Sequence, residues 1–432
     1  MYGNMILKGN ILYMSNKENL EIIDDGYLVV ESDLVVGVYQ TLPQIYDKEE
    51  VRDFGDRLII PGMTDLHVHA PQYSFRGLGM DKELLDWLNQ YAFPEEMRYS
   101  EDVYAKKAYR IFAQDLLESP TTRACVFATA HKEASLHLAK MLEESGLVTY
   151  VGKVNMDRNS IDGLQEDTKQ SLEDTRWFIE EMQKKCKLSM PMLTPRFVPS
   201  CTDELMQGLG ELQREYQLPV QSHLSENLSE IEWVAELNPK SKNYGDAYEM
   251  FGLFGDTHPA VMAHCVYCSE EELALMKKNG VFIAHCPNSN MSLASGIAPI
   301  RSYLSADMKV GLGSDVAAGF SLSMFHAIRD AISVSKLYWR LVDKGAKPLT
   351  TKEGFYLATM GGGSFFGKVG SFLPGYQADI LVLDDSKYRS PRPLSSQERL
   401  ERLCYLSDTD VVYTKFVQGR EVFSRDKKVR GM

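Results

Sequence analysis

Two histidines one residue apart close the apolar run Pro61-Gly62-Met63-Thr64-Asp65-Leu66-His67-Val68-His69. In a β-strand alternate side chains share a face, so His67 and His69 project together. Imidazole is the commonest protein ligand for transition metals, and two rings converging from one strand end can chelate a divalent ion. Three later apolar segments end in residues of matching chemistry: Gln221-Ser222-His223-Leu224-Ser225-Glu226, Met262-Ala263-His264 and Gly311-Leu312-Gly313-Ser314-Asp315. Taken singly, His223 or His264 reads as a satisfied core histidine and Asp315 as a helix N-cap. Recurrence at four segment ends predicts instead one shared metal centre built from imidazoles and a carboxylate. Such a centre acidifies bound water and so points to hydrolytic chemistry.

The elements that must position these residues alternate along the chain. Short apolar runs occur at Thr64 to His69, Arg123 to Thr129, Leu147 to Val154 and Met190 to Phe197. Four more follow at Pro219 to His223, Ala260 to His264, Gly280 to His285 and Lys309 to Asp315. Helical segments are predicted at Asp102 to Leu117, Ala134 to Glu144, Asp167 to Lys185, Thr202 to Tyr216, Ser225 to Leu237 and Ser269 to Asn279. Eight strands with crossover helices predict a (β/α)8 barrel, in which chemistry gathers at the C-terminal strand ends. The first sixty residues read as short strands at Asn10 to Ser15, Tyr27 to Glu31, Leu34 to Tyr39 and Arg57 to Ile60. That texture returns at Ala378 to Leu383 and Val411 to Val422, predicting a small β-sandwich formed by both termini. The expected division is therefore 1–60 and 369–432 for the sandwich and 61–368 for the barrel.

Composition narrows the partners. The chain has 432 residues, 44% hydrophobic and 25% charged, which is globular rather than disordered. A formal charge of −13 repels phosphate backbones and argues against a nucleic-acid partner, while leaving a small neutral substrate open. No apolar stretch approaches bilayer-spanning length, and Met1 to Lys8 lacks a basic region leading into a hydrophobic core. Seven thinly spread cysteines suit a reducing cytoplasm, and Cys265-x-x-Cys268 reads as two incidental thiols at a strand-to-helix junction.

The ordered set P-G-x-x-D-x-H-x-H, H-x-x-E, H and S-D resembles the amidohydrolase superfamily, specifically its mononuclear deaminase branch. The resemblance spans nearly the whole chain. It implies one metal ion per chain, zinc with ferrous iron as the alternative, held by His67, His69, His223 and Asp315. His264 would sit beside the activated water as a hydrogen-bond partner or a long fifth ligand. Binuclear relatives bridge two metals with a carbamylated lysine ending strand four. Here Thr194-Pro195-Arg196-Phe197 ends that strand, and a guanidinium cannot become that bridge, which favours one ion.

Further segments are similar to the guanine deaminases within that branch: Pro71-Gln72-Tyr73-Ser74-Phe75, Asp86-Trp87-Leu88, Tyr91-Ala92-Phe93-Pro94, Val151-Gly152-Lys153-Val154 and His285-Cys286-Pro287-Asn288-Ser289-Asn290. That likeness implies hydrolytic deamination of a purine, guanine, at C2, giving xanthine and ammonia. Asp315 would accept the proton of the attacking water, and Glu226 would protonate the adjacent ring nitrogen. Arg196 and the Phe197 backbone N–H would meet O6, and Gln72 would bond a ring edge. His223, Glu226 and Asp315 would also touch the substrate. Arg196 could instead serve a structural ion pair, and Gln72 a loop-backbone hydrogen bond. Phe75, Trp87, Phe93 and Phe197 could stack on the purine or fill core. Relatives commonly form homodimers, which is the expectation here. The rival readings are a deaminase or chlorohydrolase of another ring (cytosine, a triazine, an adenosine derivative) and a non-catalytic binding protein on the same fold.

Overall fold

The computed structural model describes residues 4–428; residues 1–3 and 429–432, the outermost parts of the two terminal segments and of the Met1 to Lys8 stretch, lie outside it. Strands β1 (Asn4–Met14), β2 (Leu20–Glu31), β3 (Leu34–Tyr39) and β4 (Val51–Pro61) open the fold. Then come β5 (Met63–His69), β6 (Thr121–Phe127), β7 (Val148–Gly152), β8 (Val154–Asn155), β9 (Ser189–Pro191) and β10 (Thr194–Pro195). The second half contributes β11 (Val220–Leu224), β12 (Ala260–His264), β13 (Phe282–His285) and β14 (Lys309–Leu312), and the chain ends with β15 (Ile380–Leu383), β16 (Val412–Val417) and β17 (Arg420–Ser424).

Two parallel four-stranded sheets, β5-β6-β7-β9 and β11-β12-β13-β14, form the barrel wall. Their strands are buried along nearly their whole length because parallel strands are covered on both faces; β5 and β6 are buried at every residue. The two sheets meet at both seams. Leu193 N–H donates to Pro219 O (3.0 Å) and Gln221 N–H to Leu193 O (3.0 Å) at one. Asp315 N–H donates to His67 O (2.8 Å) and His69 N–H to Val316 O (3.0 Å) at the other. Leu66, Cys125, Met192, Val261, Ala263, Phe282, Ala284 and Phe365 cluster together as an inner core. The outer core packs helices such as Asp203–Tyr216 and Met324–Leu341 against the strands' other faces.

The fourth barrel strand is broken into β9 and β10, where the sequence suggested one run from Met190 to Phe197. Pro191 and Pro195 lack the N–H a continuous ladder needs. The third is likewise divided into β7 and β8 around Lys153. Helices Asp102–Glu118, Lys132–Ser145, Thr168–Lys185, Asp203–Tyr216, Leu228–Leu237 and Glu270–Asn279 stand where the apolar periodicity puts them. Side-chain caps from Asp167, Thr202, Asn227 and Ser269 start four of them. The helices Met324–Leu341 and Ser396–Leu406 were not anticipated.

The terminal strands make one seven-stranded sheet, ordered β17-β16-β15-β4-β1-β2-β3, with both chain ends contributing. Strands β1, β2 and β4 start earlier than their apolar alternation suggested, at Asn4, Leu20 and Val51; the added residues of β2 and β4 are mostly half exposed or exposed, whereas those of β1 include buried Ile6 and Leu7. The β3 edge is covered by residues 375–378, Val35 N–H donating to Tyr376 O (2.8 Å) and Gly375 N–H to Val35 O (2.8 Å). The sheet thus wraps an apolar interior that includes Leu7, Ile11, Leu28, Val35, Ile59, Ile380 and Phe416. Alternation along β4 sends Ile59 into that interior and Leu58 and Ile60 into the barrel's outer core. Arg123 on β6 ties the two together through a buried fork, Nε to Asp379 Oδ2 at 2.7 Å and Nη2 to Asp379 Oδ1 at 3.1 Å. No helix among the described residues is long and apolar enough to cross a membrane.

Candidate active site

Strand termination brings the expected residues to one end of the barrel. His67 and His69 close β5, Arg196 follows β10, His223 lies in β11, His264 closes β12, and Asp315 follows β14. The chain turns sharply there: Ser225 (φ 48°), His264 (φ 74°), Cys265 (φ 50°) and Asp315 (φ 47°) all take left-handed backbone, costly for residues with a Cβ. Ala263 faces the inner core, so regular alternation would turn His264 away from it. The left-handed turn accompanies a different placement, with His264 Nε2 3.3 Å from Glu226 Oε2 and 3.8 Å from Asp315 Oδ2.

Nitrogen atoms face one another at the centre. His69 Nε2 lies 3.1 Å from His67 Nε2 and 3.2 Å from His223 Nε2. Asp315 Oδ1 lies 3.2 Å from His67 Nε2 and 3.5 Å from His69 Nε2. His223 Nδ1 lies 2.6 Å from the Arg196 carbonyl, to which it can only donate, so Nε2 of the neutral ring carries a bare lone pair. Burial, the dominant cause, holds His67 below its ordinary pKa and His69 and His223 well below it, which favours the neutral form. Where His67 and His69 likewise leave Nε2 bare, lone pairs at this spacing repel unless a cation lies between them. Ligand bonds of about 2.0–2.1 Å around a tetrahedral ion put neighbouring donors about 3.3–3.4 Å apart, close to the separations found. The donor set therefore fits a divalent ion.

Asp315 is buried, which alone would raise its pKa, but the surrounding imidazoles outweigh burial and hold it low, as an anion. For His264 the neighbouring Glu226 and Asp315 outweigh burial in the opposite direction, so its pKa rises; its Nδ1 lies 2.9 Å from Asn290 Oδ1, as donor. Burial raises the Glu226 carboxyl. Ser295 Oγ donates to Glu226 Oε1 at 2.8 Å. Asp65, in the first histidine motif, accepts from Ser314 N–H (2.9 Å), Ser314 Oγ (2.5 Å) and His67 N–H (3.2 Å), so it links the backbone beside His67 to that beside Asp315. Gly313 packs here without room for more: an added Cβ would meet Cys286 Sγ at 2.8 Å and His67 Cβ at 2.9 Å. Cys286 Sγ comes near His264 and Asp315, and burial pushes its thiol up.

Above this centre opens a cavity of about 420 Å³, mouth included, lined by His69, His223, Glu226, His264 and Asp315 on its polar floor. Gln72, Arg196 and Phe197 also line it, with Leu84, Trp87, Leu88, Leu293 and Ala318 as apolar walls. Of the four aromatic candidates, Trp87 and Phe197 line the cavity; Phe75 packs on Trp87 (5.4 Å between rings), and Phe93 lies under the Arg196 guanidinium (5.0 Å). Both structural alternatives raised by the sequence are present. Arg196 Nη1 donates to Glu96 Oε2 (2.6 Å), and Gln72 Oε1 accepts from Ala317 N–H (3.2 Å). Neither uses up its side chain, since a guanidinium has five N–H groups and an amide two.

Two glutamates escaped the sequence reading. Fully buried Glu96 joins Arg196 to Gln72, whose Nε2 donates to Glu96 Oε1 at 2.9 Å. Glu230 lines the cavity, accepts from Tyr244 Oη (2.7 Å) and Glu226 N–H (3.1 Å), and is pushed by burial up to about 7. The spacing Asn227-x-x-Glu230 was visible as a helix capping box, which is present. Lys153 is buried and donates to Glu166 Oε1 (2.5 Å) and Val154 O (3.1 Å), away from the imidazoles.

Comparison with known proteins agrees with this architecture. The amidohydrolase family model matches residues 58–422. Guanine deaminase of Dictyostelium discoideum is 36% identical, across 96% of this chain and 98% of its own length. That of Rattus norvegicus is 38% identical, across 97% and 96%. Among solved structures, guanine deaminase from C. acetobutylicum with guanine bound in its active site superimposes with a TM-score of 0.95 at 48% identity, covering 98% of this chain and all of that one. Motif order, barrel and sequence likeness along nearly the full length coincide, and the chain belongs to the amidohydrolase family, within its guanine deaminase branch.

Proposed function

We propose that this protein is a metal-dependent guanine deaminase, converting guanine and water to xanthine and ammonia. The observation that carries the reading is the convergence of three imidazole nitrogens and the Asp315 carboxylate at 3.1–3.5 Å spacing beneath a cavity lined by Gln72, Arg196 and Phe197. His67, His69, His223 and Asp315 would hold one ion, with His264 beside it rather than in the innermost set. Histidine and carboxylate donors suit zinc, the ion we assign, and also ferrous iron. When bound, the ion would lower the pKa of a coordinated water from 15.7 towards about 7 and so supply the nucleophile.

The chain's own groups do the rest. Asp315 is held anionic and accepts the proton of the attacking water. Glu226, raised by burial, keeps its proton at higher pH than an exposed carboxyl and delivers it to N3 as C2 is attacked. Proton return to the exocyclic nitrogen lets it leave as ammonia, and the C2 oxygen becomes the second carbonyl of xanthine. His264, fixed by Asn290, orients the oxygen that attacks. Arg196 and the Phe197 N–H meet O6, Gln72 meets the ring edge, and Trp87 and Phe197 cover the faces. We take 61–368 as the hydrolase barrel and 1–60 with 369–432 as the accessory domain, a division supported by the shared terminal sheet. Seven free thiols support a reducing compartment, the cytoplasm.

The test is release of xanthine and ammonia from guanine, with and without chelator, beside cytosine, a triazine and an adenosine derivative. Guanine turnover abolished by chelation and restored by metal is expected. Turnover of another ring as fast as guanine overturns the assignment.

A further inference from the structure

We propose that Glu96 is a positioning residue for specificity: it fixes Gln72 and Arg196 so that each holds a donor towards the substrate, selecting a purine with an acceptor at C6 over one with an amine there. The inference rests on reading Gln72 and Arg196 as the purine-edge contacts.

A primary amide such as that of Gln72 has two orientations that differ only in exchanging oxygen and nitrogen. Here both neighbours are one-sided. Ala317 N–H, a donor only, faces Oε1 at 3.2 Å, and the Glu96 carboxylate, an acceptor only, faces Nε2 at 2.9 Å. Turning the amide over would set two donors against each other on one side and two acceptors on the other. The second Nε2 hydrogen is thus left as a donor of fixed direction.

The same carboxylate holds Arg196 through Oε2 at 2.6 Å, with the guanidinium resting on the Phe93 ring. Glu96 lies on the turn Phe93–Met97 and has no exposed surface, so the pair is shielded from solvent. It also balances the arginine charge, leaving a wall that donates hydrogen bonds without demanding an anion. An oxygen at C6 matches such a wall; an amino group presents a third donor to it. Arg196 is a donor whatever its neighbour, but the orientation of the Gln72 amide and the placing of both side chains depend on Glu96, which hydrogen-bonds to the two of them.

The experiment compares guanine with 2,6-diaminopurine, the same ring with an amine replacing O6 and the same 2-amino group to lose. Chromatography identifies the ring product, and ammonia release gives the rate. Wild-type protein should prefer guanine by about 10⁴ in kcat/KM, the discrimination open to a site built round a hydrogen bond. Glu96→Gln, which removes the charge and lets Gln72 turn, should shrink that preference at least tenfold. Its KM for guanine should rise more than kcat falls, with metal content unchanged. Glu96→Asp keeps the charge on a shorter arm, is the variant to use if Glu96→Gln does not fold, and should fall between. An unaltered preference in either folded variant, whatever its thermal midpoint, overturns the proposal, as does a wild type that accepts both rings equally. A wild type inactive on guanine refutes the functional reading itself, a failure distinct from these.

Discussion

Replacing Glu226 by Gln separates proton delivery from everything else the site does. The side chains have nearly equal volume, and the Ser295 hydroxyl that donates to Oε1 at 2.8 Å can donate equally to an amide oxygen. The amide NH2 then falls where Oε2 now lies, 3.3 Å from His264 Nε2. No ligand of the proposed ion is touched, and a neutral group replaces one that burial already biases towards neutrality. The fold and metal content should therefore survive. What disappears is a proton donor aimed into the cavity, and such a group is worth ~10²–10⁴ in rate, or about 2.7–5.4 kcal/mol of barrier. The assay is xanthine formation under saturating guanine, paired with elemental analysis of the same preparation. kcat should fall by that factor while metal stays near one equivalent. The pH profile gives a second readout. Wild-type activity needs Glu226 protonated, so it should decline as pH rises through a pKa above the ordinary carboxyl range, and the Gln variant should lose that limb. A kcat within about tenfold of wild type, with the limb intact, refutes the role.

His67→Ala should lose metal and activity together, and full metal occupancy by elemental analysis rules out ligation there. Asp379→Ala strands the buried Arg123 guanidinium and should cost about 3–5 kcal/mol in denaturant unfolding with kcat little changed; a loss below about 1 kcal/mol contradicts the tie between β6 and the terminal sheet. Glu230 has a folded pKa of about 7 against an ordinary value of 4.5, so folding binds its proton between those values. Its contribution is fully present below about 4.5 and is lost as pH rises to about 7, a change of about 3 kcal/mol. Glu230→Gln should flatten stability across that window, and an unchanged slope shows that the carboxyl titrates normally.

The metal-site candidates were legible because their chemistry repeats at strand ends, where the barrel must gather side chains. His67 and His69 needed only two-residue periodicity, and His223, His264 and Asp315 needed only the strand count. Glu96 and Glu230 were not legible for the opposite reason. Each reads as an ordinary acidic residue in the first turn of a helix, and Glu230 does cap one. What makes Glu96 special is a partner 24 residues away and another 100 residues away, which no local pattern encodes. The broken fourth strand was hidden similarly: its apolar run looks continuous, and the two prolines count against a ladder only once its register is known. The left-handed turns at His264 and Asp315 carry no glycine to announce them.

Strand β4 is gripped on one edge by β1 and on the other by β15, from the far end of the chain, with Leu381 opposite Ile60 and Val382 opposite Ile59. The chain passes from β4 through Gly62 straight into the strand that carries His67 and His69, and Gly62 N–H itself donates to Asp379 O at 2.9 Å. During synthesis that second edge stays bare until nearly all the polypeptide exists, open to pairing with another molecule. Pairings of such long separation are also slow to form. Shortening the tail before Ile380 should therefore loosen the grip on the ion from a distance, by leaving the two leading imidazoles on a ribbon clamped along one side only.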